Sequence, residues 1–214
     1  MTIGSIKAVV FDFDGVLVES VDVKTKAFAE LYRPYGEDIV ARVVAYHLAH
    51  GGVSRYEKFR HFHRVFLGRE LDVADELLLG EKFSALVEDA VVRSPWVRGA
   101  SDVLEALFPR FPLFVASGTP DEELLRIVGR RGMAKFFRRV CGAPAKKADI
   151  LRSIAAEVCC PPRQLLMVGD ALTDYDGAMD AGTQFLGRVP TGAVSPFPPS
   201  IPVIRDLAEF PRVT

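Results

Sequence analysis

Residues 7–11 (KAVVF) make a short β-branched run with no polar break after its first residue, the pattern of a strand buried on both faces. Similar runs recur at 112–116 (PLFVA), 165–168 (LLMV), 184–186 and 202–204. Between them, apolar positions fall at helical spacing over 121–131 and 149–158, and Pro120-Asp121 and Asp149 suit helix starts. Strands alternating with helices predict an α/β fold with a Rossmann-like parallel sheet, covered by helices on both faces.

The stretch 18–92 breaks that rhythm. It keeps helical spacing, offers no convincing strand, and is rich in Tyr, Phe and His. It reads as an inserted α-helical domain lying over the end of the first strand as a lid. Ser94-Pro95 and Arg98-Gly99 mark the return to the core. The expected division is a core of residues 1–17 and 93–214 and a cap of residues 18–92. The Pro-rich stretch 190–202 reads as a surface loop, and no repeat or low-complexity segment interrupts the chain.

Composition narrows the class without choosing a function. A chain of 214 residues can bury a core and a smaller accessory domain. At 49% hydrophobic and 26% charged it has the balance of a folded soluble protein. Lys and Arg total 27 against 28 Asp and Glu, a net charge of -1, so neither nucleic acid nor an anionic membrane is an expected partner. Cys141, Cys159 and Cys160 have no metal-type spacing and fit a reduced protein. With no signal-peptide pattern at 1–7 and no apolar run of membrane-spanning length, the expected location is the cytoplasm.

Four segments carry candidate chemistry. The first is Asp12-Phe13-Asp14-Gly15-Val16-Leu17, at the end of the first strand. Strand alternation puts Asp12 and Asp14 on one face, and Gly15 permits a sharp turn. Two close carboxylates repel each other unless a cation or shared proton compensates. The second is Ser117-Gly118-Thr119, where a hydroxyl and an open backbone can donate to a phosphoryl oxygen, or can merely cap a helix. The third is Lys146-Lys147, either of which could neutralise phosphoryl charge or sit in solvent. The fourth is Gly169-Asp170-Ala171-Leu172-Thr173-Asp174, which adds two acids at another strand end. Acids from two strand ends make an oxygen-rich site suited to Mg²⁺.

Together and in this order, the segments resemble the four motifs of the haloacid dehalogenase superfamily. The similarity is to its phosphoglycolate phosphatase-like branch, whose helical cap follows the first strand. The resemblance implies that Asp12 is the nucleophile and Asp14 the general acid and base. It implies Mg²⁺ held by Asp12, the Asp14 backbone carbonyl and Asp170, with Asp174 holding a metal-bound water or orienting the lysine. Ser117, Gly118 and the lysine would bind the phosphoryl oxygens. The third motif departs from the usual Lys-Pro form: Pro144-Ala145-Lys146-Lys147-Ala148-Asp149 favours Lys147 and leaves Lys146 open.

The implied activity is a Mg²⁺-dependent phosphatase acting on a small phosphorylated metabolite. Asp14 favours phosphoryl transfer over dehalogenation, which needs no acid for a leaving alkoxide. A β-phosphoglucomutase-type phosphomutase and a non-catalytic regulator with the same fold are the alternatives. In the cap, Arg55 and Lys58 stand in a polar stretch with His47, His50, Gly51 and Gly52. They are candidates to reach an anionic or polar part of the substrate, against the plainer expectation of solvated cations.

Overall fold

The apolar runs become strands of one sheet. A computed structural model describes residues 5–211; the outermost ends of the expected core segments, 1–4 and 212–214, lie outside the described residues. The strands are β1 (Ala8–Phe11), β2 (Leu113–Pro120), β3 (Phe137–Ala143), β4 (Leu165–Gly169), β5 (Gln184–Arg188) and β6 (Val203–Ile204). They pair in the order β3-β2-β1-β4-β5-β6, every pair parallel. The helices are α1 (Val21–Tyr32), α2 (Glu37–Ala49), α3 (Arg55–His61), α4 (Val73–Arg93), α5 (Ala100–Leu107), α6 (Asp121–Arg130), α7 (Lys147–Glu157) and α8 (Leu172–Ala181).

Strand alternation sorts the core into two layers. Val9, Phe11, Leu113, Val115, Leu166 and Val168 face one cluster, which includes Leu104 of α5 and Leu124 of α6. Ala8, Val10, Phe114, Ala116, Leu165 and Met167 face the other, with Ile150, Leu151 and Ile154 of α7 and Ala178 of α8. Burial on both faces explains why these strands read as unbroken apolar runs.

Two differences from the expected elements have physical causes. β3 has no counterpart among the expected strands, because Arg138 and Arg139 interrupt its apolar pattern. It lies at the sheet edge, where such side chains reach solvent. β2 runs past Ala116 to Pro120, with a register shift that brings Ser117, Gly118 and Thr119 into the strand end.

Helices α1 to α4 all lie between β1 and β2. Their own core is aromatic: Phe28 of α1 meets Phe83 of α4 at 4.5 Å and Phe62 at 5.7 Å between ring centroids. The chain leaves and re-enters the sheet layer side by side, since Val18 forms isolated bridges with Asp14 and with Trp96. The Pro-rich stretch holds no strand or helix and is anchored by buried Phe197 against Phe185, at 5.1 Å. No helix among the described residues is long and apolar enough to cross a membrane.

Candidate active site

The strand order decides which loops meet. β1 lies between β2 and β4, so the carboxyl ends of these three neighbours deliver Asp12, Ser117 and Asp170 to one rim. Ligands bind at this rim in open parallel sheets. Asp12, Asp14, Ser117, Gly118 and Asp170 line a single cavity of about 190 Å³, roofed by α1 to α4 residues including Lys24, His47, Arg55 and Lys58.

Asp12 is 3% exposed and its backbone N–H continues the sheet by donating to Val168 O at 2.8 Å. Its Oδ1 lies 3.2 Å from Lys147 Nζ, an ion-pair distance, yet accepts no hydrogen bond of good geometry. Burial, with Asp174 adding repulsion, pushes the Asp12 carboxyl up to about 7. The Asp170 carboxyl is raised for the same reasons, burial first and then Asp12 and Asp174. Gly15, at φ +75°, lets the loop after β1 close onto Asp170; a Cβ there would stand 2.1 Å from Asp170 Oδ2.

Asp174 is fully buried and fully engaged. One oxygen accepts from Lys147 Nζ, the other from the backbone N–H groups of Asp170 (3.2 Å) and Ala171 (3.0 Å). It therefore ties the loop after β4 to the lysine. Lys147, at the start of α7, is 8% exposed. Burial alone would lower its pKa, but Asp12 and Asp174 hold it above the ordinary lysine range. Lys146 caps the same helix and is exposed, so Lys147 is the lysine that reaches the site.

Asp14 occupies a different setting from Asp12. Its carboxylate accepts from Lys24 Nζ (2.5 Å), Ser20 Oγ (2.6 Å) and Thr119 Oγ1 (3.1 Å). Burial pulls its pKa up, but Lys24 and these hydrogen bonds win and hold it below the usual value. Lys24 also donates to Thr119 Oγ1 at 2.6 Å, joining α1 to the end of β2. Thr119 lies in the second candidate segment, but neither Lys24 nor Ser20 stands out in the sequence as a partner of Asp14, because their meeting depends on α1 folding back over the rim. Ser117 Oγ accepts from Thr119 N at 3.1 Å and keeps its own proton to donate.

Arg55 and Lys58 are not solvated. Arg55 is 4% exposed; it pairs with Glu123 of α6 through two bonds (2.8 and 2.5 Å) and with Ser84 of α4 (2.9 Å). Lys58 is 2% exposed and meets His47 Nδ1 at 2.9 Å. The hairpin between α2 and α3 rests directly on the core. A Cβ on Gly118 would lie 2.4 Å from Gly52 O, and Thr173 Oγ1 donates to Gly51 O at 2.9 Å.

The donor set suits a hard divalent cation. Atoms of Asp12, Asp170 and Asp174 come within 4.8 Å of one another. Asp174 is consumed by Lys147 and the backbone, whereas the buried Asp12 Oδ1 has no hydrogen-bond donor. The ion pairs these acids make among the described residues are Lys24 with Asp14 and Lys147 with Asp12 and Asp174, which leaves Asp170 free to join Asp12 in holding an oxygen-seeking cation.

The sequence model of the family described as "Hydrolase: haloacid dehalogenase-like hydrolase" matches residues 6–182. The chain belongs to the haloacid dehalogenase-like hydrolases. Within this family, the chain is similar to the phosphorylated carbohydrates phosphatase of Thermotoga maritima, at 25% identity over 192 residues, covering 83% of this chain and 82% of the relative. Its fold resembles a β-phosphoglucomutase from Clostridium difficile (TM-score 0.77, 15% identity, 96% of this chain and 93% of that one). It also resembles a predicted phosphoglycolate phosphatase from Haemophilus somnus (TM-score 0.73, 18% identity, 95% and 96%). The parallel sheet with an inserted helical cap is thus the fold of this hydrolase family.

Proposed function

We propose that this hydrolase cleaves small phosphate monoesters through a phosphorylated Asp12. The observation that carries the reading is Asp12 Oδ1: a buried carboxylate oxygen without a hydrogen-bond donor, beside Lys147, in the same cavity as Ser117 and Asp170. An oxygen left unpaired in this way is available to a reacting atom.

In the first half-reaction an Asp12 carboxylate oxygen attacks phosphorus while the bond from phosphorus to the ester oxygen breaks. Asp14 gives the departing alkoxide its proton. In the second, water loses a proton to Asp14 and attacks the same phosphorus, and the bond to Asp12 breaks. Lys147 and the Ser117 hydroxyl hold phosphoryl oxygens through both steps, supported by the backbone at Gly118. Asp174 orients Lys147. Lys24, Ser20 and Thr119 position Asp14; the acid step requires its carboxyl to leave this anionic, hydrogen-bonded state. Mg²⁺, held by Asp12, the Asp14 carbonyl and Asp170, would screen the anionic ester from the anionic nucleophile.

We take residues 1–17 and 93–214 as the catalytic core and 18–92 as a cap that covers the cavity. The paired crossing at Val18 and Trp96 supports that division. A metabolite-sized phosphate ester, such as a phosphorylated carbohydrate or phosphoglycolate, matches the cavity of about 190 Å³. The test is phosphate release from a panel of such esters with Mg²⁺, by wild type and Asp12→Asn. Release by wild type and none by the variant is expected; equal rates would remove the reading. Following isomerised sugar phosphate in the same reactions separates hydrolysis from a mutase, in which a sugar hydroxyl replaces water.

A further inference from the structure

Within the cavity, among the described residues, a buried ammonium lacks an ion-pair partner and a buried ring N–H lacks an acceptor. Lys58 has no carboxylate within ion-pairing distance among the described residues; its one hydrogen bond is to His47 Nδ1. An ammonium only donates, so Nδ1 is the acceptor and the imidazole proton sits on Nε2. That Nε2 is buried and has no hydrogen-bond partner among the described residues. His47 and Lys58 are 7% and 2% exposed, and both line the cavity that holds Asp12. A buried ammonium without a counter-charge and a buried N–H without an acceptor are each costly to the folded protein. Placed side by side in a substrate cavity, they are a site that lacks its anion.

Arg55, the other cation of this stretch, cannot serve, because Glu123 and Ser84 already occupy it. Asp14 attracts Lys58 through space but makes no ion pair with it, since its carboxylate is held by Lys24, Ser20 and Thr119. Phe28 packs against His47, tilted by 43° at 4.7 Å between ring centroids, and lies 5.6 Å beneath Lys58 Nζ, so the pair is fixed in an apolar frame. Burial lowers His47 to about 3, which keeps it a neutral donor, and lowers Lys58 to about 7, so an anion drawn to the cavity would favour the charged lysine.

We propose that Lys58 and His47 form a second anion subsite on the cap, and that the substrate is a phosphate monoester bearing another anionic group at its far end. The chemistry shared by the candidates is a carboxylate or a second phosphoryl group, each able to accept from Lys58 Nζ and His47 Nε2 together. This rests on the phosphatase reading above. It selects, among small phosphate esters, the anionic ones over neutral polyol phosphates.

The experiment compares kcat/KM for three esters with the same two-carbon unit, phosphoglycolate, ethanediol bisphosphate and hydroxyethyl phosphate, whose far end is neutral, with wild type and Lys58→Met. At least one anionic ester should exceed the neutral one by about ten- to a hundredfold in wild type, the scale of a charged hydrogen bond. Which one does so identifies carboxylate or phosphoryl as the recognised group. In Lys58→Met the ratio should fall close to one. Equal values for all three in wild type, or a ratio that Lys58→Met leaves intact, overturns the subsite. Should the variant fail to fold, wild type alone decides: glycolate should inhibit hydroxyethyl phosphate turnover far more than ethylene glycol does, and equal inhibition overturns it. If wild type with Mg²⁺ releases phosphate from no ester, the phosphatase reading fails instead. Tighter calorimetric binding of phosphoglycolate than of hydroxyethyl phosphate would then still uphold the subsite, and equal binding would overturn it.

Discussion

Asp12 and Asp14 stand two residues apart and are driven in opposite directions. Burial and neighbouring acids push Asp12 up to about 7, whereas Lys24, Ser20 and Thr119 hold Asp14 down. These directions, in the site without a cation, are the reverse of what the proposed roles need: a cation at Asp12 would favour its ionised, nucleophilic form, and Asp14 must gain a proton before it can act as the acid. If Lys24 positions Asp14, removing it should hurt most where the leaving group needs a proton. Lys24→Met should therefore lower kcat for an alkyl phosphate by roughly a hundredfold and far less for nitrophenyl phosphate, whose phenolate leaves unaided. Equal losses on the two esters would mark Lys24 as a structural residue only.

His47 carries a second prediction at this scale. Its pKa is about 3 in the fold against 6.5 as a free side chain. Between those values the unfolded chain binds one more proton than the native one, so this group makes stability fall as pH drops below about 6.5. Its share of the slope approaches about 1.4 kcal/mol per pH unit. Denaturant titrations across that range should be shallower in pH for His47→Gln than for wild type; identical slopes would contradict the assignment.

Among the elements, legibility followed burial. β1 and β4 were readable because each is apolar on both faces, and the acids at their ends inherit a defined position from them. β3 was not, since its arginines suit an edge and break the pattern. The sequence favoured Lys147 as the third-segment lysine and left Lys146 open; α7 begins between them and turns Lys147 inward. Lys24 and His47 were unreadable as site residues. On an isolated helix each is one polar position, and only the fold of the cap over the sheet rim gives them partners up to 95 residues away.

The same element scale explains how cap and core hold together. The exposed Arg126 and Arg130 pairs with Glu88 and Asp89 contribute little each, as surface ion pairs do. Arg55 and Glu123 are buried at 3% each, and losing one partner strands a charge. Arg55→Met should cost about 3–5 kcal/mol in denaturant unfolding, and Arg55→Met with Glu123→Leu clearly less than the two single losses added. Additive losses would show that the pair is not coupled.

For the whole molecule, the fold gathers Asp12, Asp14 and Asp170 at the rim of the sheet beneath a lid that brings Lys24 and Lys58 to the same cavity. Mg²⁺ binding to the folded form alone must raise its stability by mass action. Millimolar Mg²⁺ should raise the melting temperature of wild type by several degrees, and Asp170→Asn should abolish most of that rise. An undiminished rise in the variant would move the cation elsewhere. At this scale every strand but β3 and the inserted helical stretch were readable, while the closeness of the lid was not. Contacts such as Gly118 against Gly52 O join distant segments and leave no periodic trace.

The most direct measurement is to quench the enzyme with borohydride during turnover of a phosphate ester with Mg²⁺ and to map the modified peptide by mass. Borohydride reduces an acyl phosphate to an alcohol, so homoserine should be found at position 12 and at no other aspartate. Full phosphate release with Asp12 unmodified under conditions that trap a known aspartyl phosphate, or homoserine at a different position, would contradict the account.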